Sequence, residues 1–202
     1  MSLCVELSLE GARVLVVGGG RLALHRSVQL QQEGASVCAV APEFLPAFDR
    51  LHGIERRIAE YEAPFLDGCI LAAAAATPEV NRRLAADAEA RGILTLAAAP
   101  EQGARAHVLK SEREDGILLA CSTGGAFPAL SASLLDSMRK AASPFADRLP
   151  LLRRLRRLLL DRGDEESLIL LAELPEKSKE ELAVLLQSLE KIKKRRIFPE
   201  NR

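Results

Sequence analysis

The residues best placed to do chemistry lie in one short run, Gly18-Gly19-Gly20-Arg21-Leu22-Ala23. This G-x-G-x-x-A spacing falls between an apolar stretch, residues 13–17, and a segment with helical periodicity. Gly18 permits a tight turn, and Gly20 lets main chain approach a pyrophosphate. Ala23 keeps helix and strand close, while the free N–H groups at the helix end attract negative charge. That combination holds a dinucleotide; the competing reading is a turn that merely lets the helix pack tightly. The usual companion is an acid closing the second strand, where it holds ribose hydroxyls. Ala41 occupies that place, and Glu43 reads either as a substitute or as a loop residue. No Arg adjoins the strand end to meet a 2′-phosphate, so NAD is expected rather than NADP.

Other reactive groups are sparse. Cys4, Cys38, Cys69 and Cys121 are widely spaced, with no CxxC pair and no zinc spacing, as expected for reduced thiols in a cytoplasmic protein. His25, His52 and His107 form no helical pair, so no metal site is expected. His25 and His52 read as solvated surface groups. Ser122 and Ser131 lack a G-x-S-x-G setting, and the glycine run lacks the Lys-Ser/Thr of a triphosphatase.

The elements that must carry the glycine turn alternate between strand and helix. Residues 13–17 form a strand without apolar/polar alternation, as a strand buried on both faces requires. A helix follows over residues 22–33, stopped by Gly34. Further strands are expected at 36–41, 54–61, 69–76 and 93–97, with a short helix at 45–52 and a longer one at 79–91. Alternation of this kind builds a parallel sheet covered by helices, the Rossmann-type α/β arrangement.

The pattern then changes. Residues 107–110 and 117–121 read as a hairpin turning through Asp115-Gly116, followed by a helix at 127–142. Helices at 146–162, 165–173 and 176–194 carry leucine stripes suited to a small core of their own. A boundary is expected near Ser143-Pro144. The basic stretch 191–196 reads as a solvated helix end complementing the dipole.

Composition narrows the class. The 202 residues carry 28 basic and 28 acidic side chains, a balance that argues against a general nucleic-acid binder. With 3% aromatics the chain also lacks stacking platforms for single strands, while 48% apolar residues suffice for a real core. No apolar run approaches the ~20 residues needed to span a membrane, and the first residues lack the basic start of a secretory signal.

Four pieces in order carry a family resemblance: Gly18-Gly19-Gly20; Val40-Ala41-Pro42-Glu43-Phe44; Ala75-Ala76-Thr77 with Val80-Asn81-Arg82; and Ser122-Thr123-Gly124-Gly125 with Pro128-Ala129-Leu130. Together they resemble the precorrin-2 dehydrogenase/sirohydrochlorin ferrochelatase family, including the N-terminal half of siroheme synthase. The resemblance implies an NAD-binding Rossmann domain over residues 1–105, a dimerisation segment over 106–145, a helical domain over 146–202, and a homodimer. It implies NAD⁺-dependent oxidation of precorrin-2 to sirohydrochlorin, with Fe²⁺ insertion in some members. Carried over residue by residue, Gly18, Gly20, Arg21 and Leu22 would contact the cofactor, with Ala76 and Thr77 beside it. Ser122, Thr123, Gly124 and Gly125 would line the tetrapyrrole cleft.

The sequence also departs from the family. Its catalytic Asp follows the fifth strand, and the aligned position here is Ala98, whose methyl group can neither accept a proton nor ligate iron. Glu101 reads as an exposed loop acid or as the replacement carboxylate. His107 reads as a partly buried hairpin residue or as a base. Two residues are missing between Thr77 and Asn81. The resulting expectation is a dehydrogenase with at most weak ferrochelatase activity; the alternative is an impaired member that binds NAD or a tetrapyrrole as a carrier.

Overall fold

The computed structural model describes residues 4–97, 106–124 and 126–197. The chain divides into two units, residues 1–108 and 109–202.

The first unit is a five-stranded parallel sheet in the order β3-β2-β1-β4-β5. Its strands are β1 (Arg13–Val17), β2 (Ser36–Ala41), β3 (Glu55–Ile58), β4 (Leu71–Ala74) and β5 (Leu94–Ala97). β1 is central because its side chains are apolar on both faces. Val14 and Val16 join Ala23 and Leu30 of α1 (Arg21–Gln32) in one core, while Leu15 and Val17 join Leu84 and Ala88 of α2 (Pro78–Ala90) in the other. A 3-10 turn, Pro46–Arg50, replaces the expected helix at 45–52 and anchors the first core through Phe48, which is fully buried. β3 is shorter than expected, and all four of its side chains are exposed, as befits an edge strand. The alanine-rich stretch does form a strand: Leu71–Ala74 lies between β1 and β5, where small side chains let helices close over both faces.

In the second unit β6 (Lys110–Glu114) and β7 (Ile117–Cys121) pair antiparallel with Glu114 opposite Ile117. The expected strand at 107–110 is thus displaced. Asp115 and Gly116 both take positive φ, 45° and 87°, the two-residue turn that fixes register directly on either side. α3 (Pro128–Ala146) runs through Pro144 instead of stopping at the expected boundary. α4 (Leu149–Arg162) ends on Gly163 in the left-handed region, and Asp164 caps α5 (Glu165–Glu173) by accepting from Ser167 N–H at 2.8 Å. Ser178 and Glu181 form a reciprocal capping box at the start of α6 (Lys179–Ile197). The leucine stripes meet as expected: Leu155 and Leu159 of α4 pack with Leu182, Leu186 and Leu189 of α6.

Candidate functional site

From β1 the sheet grows outward through β2 and β3, then returns across to β4 and β5. A switch of this kind leaves a crevice beyond the carboxyl ends of the strands, where ligands bind in open α/β sheets. Here it is a cavity of about 730 Å³. Its floor is Gly18, Gly19 and Gly20; its walls are the end of β2 with residues 42–46, Glu60 and Tyr61 beyond β3, and Ala75, Ala76, Thr77 and Val80 beyond β4.

Each glycine of the floor has a different duty. Gly18 takes φ +133°, and a Cβ there would run into the Ala75 carbonyl. Its N–H donates to Val40 C=O at 2.9 Å, so the turn is stitched to β2 as it leaves β1. A Cβ on Gly19 would strike the Glu43 carbonyl, while Gly19 C=O accepts from Leu45 N–H at 2.9 Å. Gly20 is the N-cap of α1 at φ −86°, and a Cβ there would meet nothing within 4 Å. No side chain caps the helix and no acid sits in its first turn. The first-turn N–H groups, which have no acceptor within a helix, are therefore left for a ligand anion. The cradle fits a dinucleotide pyrophosphate: close main chain, a helix start and open space above Gly20.

Charge around the cavity is one-sided. Among the described residues its ionisable lining groups are Glu43, Glu60 and Tyr61, with no Lys or Arg. Glu43 is exposed in the loop after β2, as the loop reading expects, and it also lines the cleft. Arg21 is exposed and Leu22 half-buried at the start of α1, outside the lining set. Glu60 and Tyr61 were not singled out in the sequence; the position just past a strand end was their only signal.

Tyr61 is 4% exposed and donates its phenol O–H to Asp87 Oδ2 at 3.0 Å. Arg83 of α2 lies 5.5 Å from its ring centre. Burial first, then the Asp87 carboxylate, pushes the phenol well above its ordinary range. Across the cleft Thr77 caps α2, its Oγ1 accepting from Val80 N–H at 3.4 Å.

The second unit holds the other predicted residues. Ser122 Oγ accepts from Gly124 N–H at 3.0 Å, and Thr123 Oγ1 accepts from Phe127 N–H at 3.2 Å while also lying 3.2 Å from Ser131 Oγ. Thr123 is thus a pin for the turn entering α3, whereas Ser122 and Gly124 are exposed. Gly125, Ala98 and Glu101 lie outside the described residues. His107 is exposed and precedes the hairpin strands, so its expected partial burial is not found. His25 and His52 are exposed as well. Among the described residues no three His, Cys, Asp or Glu side chains gather as a metal site, and the four cysteines are free. Burial raises the Cys38 and Cys69 thiols, which keeps them protonated.

Fold and cradle define an NAD(P)-binding domain of Rossmann type. Residues 5–118 match the family model described as "Putative NAD(P)-binding", and the chain belongs to that family. It is 38% identical over 134 residues to the siroheme synthase of Chromobacterium violaceum, covering 64% of this chain and 28% of that one. With the siroheme synthase of Pseudomonas entomophila it shares 36% over 143 residues, 68% of this chain and 30% of the relative. The chain therefore spans less than a third of the length of these curated relatives. A solved structure of SirC, precorrin-2 dehydrogenase, superposes with a TM-score of 0.68 at 20% identity, covering 93% of this chain and all of that one, and shares its fold. Sequence and fold likeness together bear out the resemblance to the precorrin-2 dehydrogenase and siroheme synthase family.

Two outcomes follow from this geometry. Gly20→Ala should leave the thermal midpoint within a few degrees of wild type but weaken NAD⁺ binding about tenfold or more, because its methyl enters the cleft. Gly18→Ala should instead destabilise the fold by about 1–3 kcal/mol. Thermal unfolding and NAD⁺ titration of both variants check this, and a Gly20→Ala variant with unchanged affinity would contradict it. Tyr61 is the chain's one tyrosine and there is no tryptophan, so phenolate absorbance reports it alone. At about pH 10, where free tyrosine is half ionised, the folded protein should show no phenolate until it is unfolded. Because the folded value is raised, the group's stabilisation is present below the ordinary tyrosine range and declines as pH rises above it.

Proposed function

We propose that this chain catalyses NAD⁺-dependent oxidation of precorrin-2 to sirohydrochlorin, in the cytoplasm, as a homodimer. The observation that carries the reading is the open cradle above Gly20 at the sheet's switch point, in a chain 36–38% identical to siroheme synthases. NAD⁺, when bound, supplies the hydride acceptor.

The chain's own residues hold and orient. The N–H groups of residues 20–22 would hold the pyrophosphate, and the carboxylates of Glu43 or Glu60 would accept from the ribose hydroxyls. Two acids, with no cation among the described lining residues, favour a diol over a 2′-phosphate, which is the physical reason for NAD over NADP. Arg21 and Leu22, at the start of α1, would contact the cofactor from beside the cradle, while Ala76 and Thr77 bound the opposite wall. The turn Ser122 to Gly125 would meet the tetrapyrrole carboxylates, the Ser122 hydroxyl as donor, with Thr123 holding the turn. Oxidation removes a hydride and a proton; water, Glu101 or His107 takes the proton in place of the carboxylate absent at Ala98. Acid–base assistance is typically worth ~10²–10⁴-fold, so its weakening slows turnover without abolishing it. The same loss makes ferrochelatase activity weak.

The domain plan is an NAD-binding part over residues 1–105, a dimerisation segment over 106–145 and a helical part over 146–202. An apolar stripe supports the dimer: Phe127, Leu130, Leu134 and Met138 repeat at helical spacing on the α3 side and are 61, 47, 43 and 36% exposed. No helix among the described residues is long and apolar enough to cross a membrane.

Anaerobic incubation of precorrin-2 with the protein, with and without NAD⁺, tests the reading. Sirohydrochlorin should form faster than in a protein-free control, and only with NAD⁺. Binding of NAD⁺ or tetrapyrrole without conversion would overturn the dehydrogenase and favour a carrier.

A further inference from the structure

Asn81 is the most fully committed polar side chain near the cleft, yet no part of the proposed chemistry uses it. It lies in the first part of α2 and is 3% exposed. Its Oδ1 accepts from Ala76 N–H at 3.0 Å, and its Nδ2–H donates to Ala76 C=O at 3.2 Å. One planar amide thus engages both polar groups of a single main-chain residue, as a neighbouring strand would, just where β4 has ended at Ala74. Of the short side chains that stay neutral at every pH, only Asn carries a donor and an acceptor fixed in one plane.

What it clamps is the wall of the cleft. Ala75, Ala76, Thr77 and Val80 form the side facing the loop after β2. Ala75 also supplies the carbonyl against which Gly18 rests, so the position of this segment sets that of the glycine floor. Asn81 N–H donates in turn to Thr77 C=O at 2.9 Å, tying the clamp to the start of α2.

We infer that Asn81 is a positioning residue for the dinucleotide site: it holds residues 75–77 in the one arrangement that leaves the cleft open to the cofactor. With its N–H and C=O engaged by the clamp, Ala76 meets the cofactor through its methyl surface and not as a donor. The inference rests on the reading of this cleft as the dinucleotide site and names the side chain that maintains it.

The test is Asn81→Asp, with NAD⁺ affinity measured across pH well below the unfolding midpoint. A protonated carboxyl reproduces the amide: its carbonyl accepts from Ala76 N–H and its hydroxyl donates to Ala76 C=O. The ionised form opposes two oxygens. Burial raises the introduced group above the ordinary carboxylate range. The variant should therefore bind NAD⁺ nearly as tightly as wild type at about pH 5 and roughly tenfold more weakly at about pH 8. Other titratable or charged groups nearby are Glu79, Arg82 and Arg83 on the exposed side of α2, the Tyr61–Asp87 pair, and Glu43 and Glu60 along the cleft. The wild-type profile, measured alongside, carries their contribution. Asn81→Ser, which introduces no charge, should bind roughly tenfold more weakly at every pH, so a misfolded Asp variant does not end the test. A purely structural role would lower the unfolding midpoint of both variants while leaving affinity below it unchanged, and that result overturns the inference. Wild-type protein that binds no NAD⁺ at any pH would instead overturn the reading of the cleft itself.

Discussion

Two main-chain contacts that no side chain would permit set the geometry on which this structure depends. Gly18 rests on the carbonyl of Ala75, and Gly19 on that of Glu43. The first joins the turn after β1 to the end of β4; the second joins it to the loop after β2. A methyl at either position would push the three strand ends apart, and the crevice would lose its floor. Gly20, the third in the row, has no such neighbour. The row therefore divides its work, two residues for assembly and one for access.

The feature of the cleft best suited to an anion is a helix dipole. The cleft presents carboxylates at Glu43 and Glu60, and among the described residues no basic side chain lines it. The start of α1 has no side-chain cap, and its first-turn N–H groups suit a pyrophosphate. Carboxylates elsewhere along the lining are suited to accept from hydroxyl-bearing parts of a ligand. Such an arrangement suits a chain with no net charge, since its selectivity comes from where donors and acceptors lie.

Much of the first unit was legible because parallel strands buried on both faces announce themselves. Val14, Leu15, Val16 and Val17 form an unbroken apolar run, and Gly34 and Gly92 stand where α1 and α2 give out. The second unit hid two features for physical reasons. β6 is the polar sequence KSERE, exposed over most of its length, so its pattern carries no apolar signal and the turn at Asp115-Gly116 alone sets its register. Pro144 suggested a boundary, yet α3 continues past it to Ala146, which is buried. Around the cleft the glycines were readable because their spacing is local. Glu60, Tyr61 and the clamp made by Asn81 were not, because each acquires its role from contacts that form only when the strand ends assemble.

The central claim is that a dinucleotide is held at the switch point of the first unit, over Gly20 and against the wall beyond β4. Amide hydrogen exchange with and without NAD⁺ tests it most directly. The account predicts added protection at residues 19–22, with smaller gains at 41–45 and 75–80, and little change in the helices of the second unit. Protection elsewhere in the chain with none at the glycine turn would contradict it.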